Sequence, residues 1–252
     1  MAHEETFTLI TICWNAAKTL RRTVNSVLAQ SRLPQEYLFV DGGSTDGTLE
    51  LLETCRPLLE TRGVKMQILH QHCPPEAAGI PDAWNQGLAA ATGGVIGLLN
   101  ADDWYEPETL ATVMDAFRSQ PDCEAVVCPV AFRTAEGTLL YTLPPRPLTQ
   151  LAWRMTLPHP GCFFTRGLYD RVGLYDTRYR ISADYDFAWR CRKANVRFHF
   201  LPKALVNMQA GGLADTGRAR ARRETLAIAR KYAPWWDLRP QLAWLFRTIL
   251  GK

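Results

Sequence analysis

The chain lacks a long apolar run. Nowhere in its 252 residues does an uninterrupted apolar segment approach the roughly 18 residues that a membrane-spanning helix needs. The segment 1–5 is acidic and leads directly into a strand-like run, so we expect no signal peptide. Internal repeats and low-complexity tracts are also missing. These absences exclude an integral membrane protein and a repeat architecture.

Paired cysteines are missing too. The seven cysteines include no C-x-x-C pair and their number is odd, which is atypical of a disulfide framework. We therefore expect buried free thiols and a cytoplasmic location. No charge of one sign dominates, because the net charge is +4 with 21% charged and 47% hydrophobic residues. This composition is ordinary for a soluble α/β enzyme with one sizeable core, built as one large domain or two small ones.

A G-x-G-x-x-G motif is absent after the first strand-like run, which argues against a dinucleotide-binding fold. What is present in the first half is a regular alternation of strand and helix patterns. Strand-like runs cover residues 7–13, 36–40, 64–69 and 95–99, and helical patterns between them cover residues 20–28, 48–59 and 83–91. Such alternation predicts an α/β fold with a parallel sheet, flanking helices and right-handed crossovers.

The second half is less regular. Two strand-like runs at 124–133 and 138–143 flank residues 135–137, which predicts a hairpin. A proline-rich stretch at 144–147 then breaks the pattern, and residues 184–194 have the pattern of a helix. Because no flexible polar stretch accompanies the prolines, we interpret the change as a shift within one domain and not as a linker.

Two adjacent carboxylates follow the apolar run at 95–99. In open α/β sheets, ligands lie at the carboxyl ends of strands, where Asp102 and Asp103 stand. Adjacent carboxylates repel each other and need solvent or a cation such as Mg²⁺ or Mn²⁺, which also binds phosphate oxygens. The alternative is a helix N-cap before Pro107, but one carboxylate would suffice for a cap. The pattern favours metal-assisted phosphate chemistry.

A further acidic residue follows the run at 36–40. Asp41 is succeeded by Gly42 and Gly43, which let the backbone turn tightly or approach a ligand closely. The polar residues 44–46 can cap the helix that begins near residue 48. Alone, this segment is only a turn, and its significance depends on the motifs around it.

Four motifs taken together resemble glycosyltransferase family 2, the large inverting group that assembles bacterial polysaccharides. They lie at residues 11–30, 40–48, 79–93 and 100–103. The resemblance continues through residues 182–186 to the glycines at 211 and 212, so it covers about residues 6–215. It implies the GT-A fold of nucleotide-diphospho-sugar transferases, an α/β fold with a mixed, mainly parallel central sheet flanked by helices.

The resemblance implies a site for a nucleotide-diphosphate sugar donor. The positions that it implies for donor binding are Thr11, Asn15, Asp41, Gly42, Asp82, Asn100 and Asp102. Among them, Asp41 would contact the base. Asn100 stands where the family has the first Asp of its metal-binding motif, and its amide can bond a ribose hydroxyl. Asp102 would bind Mn²⁺ or Mg²⁺, with Asp103 as a second ligand or orienting a metal-bound water.

The resemblance also implies an acceptor side. Asp184 would be the general base, in a cleft near the diphosphate that can raise its pKa towards a useful value. The alternative is that Asp184 and Asp186 only favour the N-terminus of their helix, and Ala183 stands where many family members carry Glu. The residues implied to lie on the acceptor and diphosphate side are His159, Gly211 and Gly212. A histidine before proline is also compatible with a structural role.

A basic C-terminal segment is separate from these motifs. We predict a GT-A domain at 1–215, divided into a nucleotide-sugar half at 1–143 and an acceptor half at 144–215, followed by a basic amphipathic helical extension at 216–252. Residues 215–252 carry nine Lys or Arg against three Asp or Glu, a net charge of +6, beside a Trp-rich apolar stripe. Such an extension either binds an anionic membrane surface or packs on the domain. No nucleic-acid-binding module occurs, so we expect no nucleic acid partner.

The resemblance implies a metal-dependent, inverting glycosyltransferase that transfers a sugar to a saccharide or lipid-linked acceptor in bacterial cell-surface polysaccharide synthesis. We expect it in the cytoplasm or at the inner face of the cell membrane. One alternative is a sugar nucleotidyltransferase, which would need a Gly-rich loop ending in a basic pair that residues 15–18 do not supply. The other is a non-catalytic nucleotide-sugar-binding protein. Such a protein would be expected to lose Asp102, Asp103 or Asp184, and all three are present.

Overall fold

The computed structural model describes residues 6–72, 79–211, 217–234 and 236–249. Strands and helices alternate through the first half, as the sequence predicts. The elements there are β1 (Phe7–Cys13), α1 (Leu20–Leu28), β2 (Glu36–Asp41), α2 (Thr48–Glu60), β3 (Lys65–His70), α3 (Ile80–Ala90), β4 (Val95–Leu98), β5 (Trp104–Tyr105) and α4 (Thr109–Ser119). The second half contains β6 (Ala125–Val127), β7 (Val130–Arg133), β8 (Leu139–Leu143), β9 (Cys162–Thr165), α5 (Arg166–Val172), α6 (Ala183–Lys193), β10 (Phe198–Phe200), β11 (Val206–Gln209), α7 (Arg218–Tyr232) and α8 (Arg239–Ile249).

Seven of these strands form the central sheet, in the order β10-β6-β9-β4-β1-β2-β3. β1 pairs in parallel with β2 and β4, β2 with β3, and β10 with β6, whereas β9 runs antiparallel to β4 and β6. The predicted mixed, mainly parallel sheet is therefore confirmed. The register places Asp41 beside both Cys13 and His70, so the carboxyl ends of β1, β2 and β3 share one edge of the sheet.

Side chains alternate between the two faces of this sheet, and each face packs on helices. Leu9 and Tyr37 belong to a core cluster that includes residues of α1, α2 and α4. Ile10 and Leu38 belong to a second cluster that includes residues of α3, α5 and α6. Because both faces are covered, these strands are predominantly apolar, and the polar side chains that they carry, such as Thr8 and Thr11, are buried as well.

A second sheet has the strand order β5-β11-β7-β8. β7 and β8 pair antiparallel, which confirms the predicted hairpin, and Gly137 between them has a φ of 93° in the left-handed region that favours glycine. The prediction of a single strand over 124–133 is wrong, because β6 belongs to the central sheet and β7 to the second sheet. Pro129 stands between them and lacks the N–H that a continuous ladder would require.

The C-terminal helices differ in how they pack. α7 buries Ile228 and Ala229 and is bonded to α6 through a buried carboxylate. Asp186 accepts hydrogen bonds from the Lys231 ammonium at 3.1 Å and from the Tyr232 hydroxyl at 2.9 Å. The exposed large apolar side chains of the α8 region are Trp236, Leu238, Leu242, Trp244, Leu245 and Phe246. The domain boundary at residue 215 stays a prediction, but α7 packs on the preceding part of the chain.

Candidate active site

Asp41 organises the loop at the carboxyl end of β2. Its carboxylate is fully buried and accepts hydrogen bonds from the Gly43 N–H at 2.9 Å, the Ser44 N–H at 3.0 Å and the Ser44 hydroxyl at 2.6 Å. Gly43 has a φ of 87°, which glycine adopts without strain. The Gly42 N–H donates to the Cys13 carbonyl at 2.8 Å. The predicted base contact of Asp41 stays a prediction, and the visible role of Asp41 is to shape this loop.

Asn15 joins the β1–α1 loop to the β2–α2 loop. It has a φ of 50°, in the left-handed region that Asn tolerates better than most residues. Its N–H donates to the Ser44 hydroxyl at 2.8 Å, and its side-chain oxygen accepts the Thr45 N–H at 2.9 Å. Asp46 adds a third link by accepting the Ala17 N–H at 3.0 Å. The two loops that would border a nucleotide are therefore held together by side-chain hydrogen bonds.

Thr11 and Asp82, both predicted donor-site residues, occupy different environments. Thr11 is fully buried and its hydroxyl lies 3.0 Å from the Tyr37 hydroxyl, so its side chain lies in the core, and its role in donor binding stays a prediction. Asp82 lies half-buried in the first turn of α3 and accepts a hydrogen bond from the Gln71 amide at 3.0 Å. The Gln71 N–H donates to the Asp41 carbonyl at 2.8 Å. Asp82 is thereby connected to the edge that carries Asp41.

The acidic pair lies directly beyond β4. Asp103 is buried, and it accepts hydrogen bonds from the Asn100 amide at 3.1 Å and the Gln209 N–H at 3.2 Å. Burial, and then the charge of Asp102, raise the pKa of the Asp103 carboxyl well above its usual range. Asp102 is half-buried, and burial raises the pKa of its carboxyl as well. A cation between these groups would relieve the cost of ionising both.

Arg22 on α1 is a part of this site that the sequence analysis missed. Its guanidinium carbon lies 3.7 Å from the centre of the Trp104 ring, and it donates a hydrogen bond to the Gln209 side-chain oxygen. Burial lowers the pKa of Arg22, and the charges of Asp102 and Asp103 oppose that effect. Because these contacts join residues 80 or more positions apart, no local pattern around Arg22 could have predicted them.

The acidic pair suits a metal ion that shares its coordination with phosphate. In the part of the chain that the structure describes, no group of three or more His, Cys, Asp or Glu is placed to hold a metal. Mg²⁺, however, commonly binds through one or two carboxylates and completes its shell with substrate phosphates and water. Asp102 and Asp103 fit that mode, with Asp103 held in place by its two hydrogen bonds.

Asp184 lies in the first turn of α6. Its side chain is half-buried and accepts the Tyr185 N–H at 2.8 Å. Burial raises the pKa of Asp184 to about 6, and the negative charge of Glu224 acts in the same direction. A carboxyl group with this pKa is ionised at neutral pH and is still basic enough to accept a proton from a reacting hydroxyl.

His159 belongs to an aromatic cluster with Trp84 and Tyr175. It lies in a short 3₁₀ turn and stacks on Trp84, with ring centres 4.3 Å apart. Its Nε2 atom is 2.9 Å from the Tyr175 hydroxyl, and burial lowers the pKa of His159 to about 4. Burial also raises the pKa of Tyr175 well above its usual range, with a smaller contribution from the charge of Asp184. His159 and Tyr175 therefore form a hydrogen-bonded pair within this aromatic cluster.

The glycines predicted near the diphosphate follow β11. Gly211 has a φ of 93° and is exposed, and Gly212 lies outside the described residues. Two positions before Gly211, the main-chain N–H of Gln209 donates a hydrogen bond to the Asp103 carboxylate. β11 therefore leads from the acidic pair towards Gly211, although a diphosphate contact by either glycine stays a prediction.

Comparison with known protein sequences identifies proteins to which this chain is similar. A family model described as Glycosyl transferase family 2 matches residues 8–172. The chain is similar to a PGL/p-HBAD biosynthesis glycosyltransferase of Mycobacterium tuberculosis, with 33% identity over 186 residues that cover 73% of this chain and 69% of that protein.

Solved structures resemble the whole fold. Mannosyltransferase PcManGT from Pyrobaculum calidifontis, in complex with GDP-Man and Mn²⁺, aligns with a TM-score of 0.69 and 21% identity, covering 100% of this chain and 73% of that chain. S. aureus TarS 1–349 in complex with UDP-GlcNAc gives a TM-score of 0.69 and 17% identity, covering 91% of this chain and 68% of that chain. The chain covers 40% of a longer TarS chain. At these identities the likeness shows a shared fold.

Proposed function

The chain belongs to glycosyl transferase family 2, and on that premise we propose that it transfers a sugar from a nucleotide-diphosphate sugar to a hydroxyl of a saccharide or lipid-linked acceptor, with inversion. It is a glycosyltransferase, consistent with a hexosyltransferase. We place the reaction in bacterial cell-surface polysaccharide synthesis, following the family resemblance. The observation that carries the proposal is the combination of the acidic pair beyond β4 with Asp184, whose pKa of about 6 suits a base.

On the donor side, the edge formed by β1, β2 and β4 would hold the nucleotide. We assign the base to the loop that Asp41 shapes, and the ribose and diphosphate to the region of Asn100 and Asp102. Asp102, supported by Asp103, would hold Mn²⁺ or Mg²⁺, which when bound supplies positive charge next to the leaving diphosphate. GDP-Man with Mn²⁺ in PcManGT and UDP-GlcNAc in TarS support a donor of this class.

On the acceptor side, Asp184 takes the proton of the attacking hydroxyl. The hydroxyl oxygen bonds to the anomeric carbon from the face opposite the leaving group, and the bond from that carbon to the diphosphate oxygen breaks with its electron pair. Attack from the opposite face inverts the anomeric configuration. Because its pKa is lowered to about 4, His159 is neutral at pH 7 and can hydrogen-bond the acceptor without competing for that proton.

A nucleotide screen tests the donor assignment. With Mn²⁺ present, we expect one of UDP, GDP or dTDP to raise the melting temperature by about 5–10 °C at 100 times its dissociation constant, since such binding adds about 2.7 kcal/mol. Removing the metal with EDTA should abolish most of the shift. The control is each nucleotide with Mg²⁺ or Mn²⁺ omitted from the start.

The same screen separates the proposal from its alternatives. Stabilisation by a nucleoside triphosphate together with a sugar 1-phosphate, with release of pyrophosphate, would instead identify a nucleotidyltransferase. Binding of the nucleotide sugar without turnover of any tested acceptor or of water would favour the non-catalytic binding protein. Absence of a shift with all three diphosphates would contradict the donor site.

The C-terminal extension has the features of a membrane-surface contact, and we propose that it holds the protein at the inner face of the cell membrane. Residues 215–252, which comprise this extension and Asp215, carry a net charge of +6, and α8 exposes aromatic and aliphatic side chains, among them Trp244 and Phe246. Basic residues near an anionic surface and interfacial aromatics both favour peripheral binding. No helix among the described residues is long and apolar enough to cross a bilayer.

A chain ending at Tyr232 tests this contact, because it removes α8 while leaving the α7 contacts of Lys231 and Tyr232 with Asp186 in place. We expect its partition onto anionic vesicles at low salt to fall about tenfold or more, since basic residues contribute about 1 kcal/mol each. Sedimentation with anionic vesicles measures the effect, neutral vesicles are the control, and nucleotide binding should survive. A full-length protein that ignores anionic vesicles, or a truncated chain that does not fold, would show that α8 only packs on the domain.

A further inference from the structure

Glu224 of α7 binds the backbone just before α6. Its carboxylate accepts three main-chain hydrogen bonds, from the N–H groups of Arg180 at 3.1 Å, Ile181 at 2.9 Å and Ser182 at 3.0 Å. The Ser182 hydroxyl makes no cap within its own helix and lies 3.3 Å from the Thr225 hydroxyl on α7. The N-terminus of α6 is therefore fixed by a residue more than 40 positions further along the chain.

This anchor lies immediately beside the candidate base. Ser182 is the N-cap of α6, and Asp184 is the second residue of that helix. A shift of the segment 180–182 would move Asp184 with it, because only one residue separates them. Charge-assisted hydrogen bonds to a carboxylate are roughly twice as strong as neutral ones, so three of them restrain this segment firmly.

We propose that Glu224 is a positioning residue for Asp184, so that the C-terminal helix α7 fixes the acceptor side of the active site. This inference rests on the proposed function, since it assumes that Asp184 is the base. Glu224 acts through the segment 180–182, whose main-chain N–H groups bond to both of its carboxylate oxygens.

The charges around Asp184 give this role a measurable signature. Glu224 on α7 contributes a negative charge that opposes ionisation of Asp184. Among the described residues, the Tyr175 hydroxyl and the Cys162 thiol of β9 also feel the charge of Asp184, and burial raises the pKa of both well above the usual range, so they are neutral at pH 7. Removing the Glu224 charge should therefore lower the pKa of Asp184.

Glu224→Gln in the full chain is the central test. The amide keeps the size of the side chain, but it offers one acceptor oxygen and directs an NH₂ group towards main-chain N–H donors. We expect kcat to fall about 10- to 100-fold with the donor KM unchanged, because the base is misplaced while the donor site is intact. The acidic limb of the pH–rate profile should move to lower pH, because the removed charge opposes the ionisation of Asp184.

Two further variants complete the design. Glu224→Asp keeps the negative charge, so the acidic limb of its pH–rate profile should stay at the wild-type pH. Because the side chain is shorter and holds the segment 180–182 less well, kcat should fall about 3- to 10-fold. Glu60→Gln makes the same change of charge on an exposed residue in the last turn of α2, a helix that packs on the other face of the sheet from α6, and should alter neither quantity. If Glu224→Gln does not fold, a wild-type kcat in Glu224→Asp would overturn the proposal.

The outcomes separate this inference from the proposed function. If Asp184→Asn inactivates the enzyme but Glu224→Gln keeps the wild-type kcat and the wild-type acidic limb of the pH–rate profile, only the positioning role of Glu224 is overturned. An inactive wild-type protein would remove the proposed function. In that case the titration of Asp184 can still be measured by NMR of protein labelled with carbon-13 at the aspartate carboxyl groups. The Asp184 signal is identified as the one missing from the spectrum of Asp184→Asn. An equal Asp184 pKa in the wild type and in Glu224→Gln would then also contradict the inference.

Discussion

Asp184→Asn should lower the rate of sugar transfer about 10²- to 10⁴-fold and leave donor affinity unchanged. The amide has the shape of the carboxylate but cannot accept the acceptor's proton. Donor affinity should persist because the acidic pair beyond β4, and not Asp184, faces the leaving group in our assignment. Calorimetry with the donor nucleotide and single-turnover transfer assays measure the two quantities separately. Retained turnover would eliminate Asp184 as the base.

The pKa of the Asp184 carboxyl also predicts how activity depends on pH. Because the pKa of Asp184 is raised to about 6, wild-type kcat/KM should fall as the pH decreases through 6, where the base becomes protonated. The raised pKa also means that ionised Asp184 destabilises the folded state above pH 6, and this cost disappears as the pH falls below about 4. Asp184→Asn should therefore be more stable than wild type at pH 8, by about 1–3 kcal/mol, and equally stable at pH 4.

Asp186→Asn is the matched control, two positions along the same helix. Asp186 is fully buried and bonded to Arg190, Lys231 and Tyr232, so its loss leaves cationic partners without their carboxylate. We expect about 3–5 kcal/mol of destabilisation with little change in turnover per folded molecule. If both variants lost stability and activity together, both carboxylates would act only as supports for the N-terminal end of α6.

The parts of the fold that sequence could predict are those that depend on local pattern. Predominantly apolar runs predicted β1, β2 and β4, because strands buried on both faces carry few side chains that need solvent. The same rule failed over 124–133, where the apolar run continues but the chain changes sheets at Pro129. Proline in an otherwise strand-like run was the available signal for that break.

The site was predicted less completely, since motif position does not determine which way a side chain points. Thr11 lies within a matching motif, yet it shares a face of β1 with Leu9 and its hydroxyl pairs with Tyr37 in the core. Arg22 and Glu224 were missed for another reason. Each acts through contacts with residues more than 40 positions away, which no spacing within the sequence reveals.

Asp102→Ala should abolish Mn²⁺-dependent nucleotide binding, with a loss of affinity greater than about 100-fold. Of the acidic pair, Asp103 is the buried member, whose carboxylate accepts hydrogen bonds from Asn100 and Gln209, so Asp102 is the better placed to reach an ion. The fold should remain intact, because burial raises the pKa of the Asp102 carboxyl and its removal relieves repulsion with Asp103.

Calorimetry with the nucleotide diphosphate, with and without Mn²⁺, decides this prediction. Asp115→Ala, an exposed carboxylate on α4 paired with Arg118, removes one negative charge elsewhere and should bind nucleotide like the wild type. Asp103→Asn should weaken binding less than Asp102→Ala if Asp103 mainly orients its neighbour. Unchanged nucleotide binding in Asp102→Ala, equal with and without metal, would move the metal site away from this strand end.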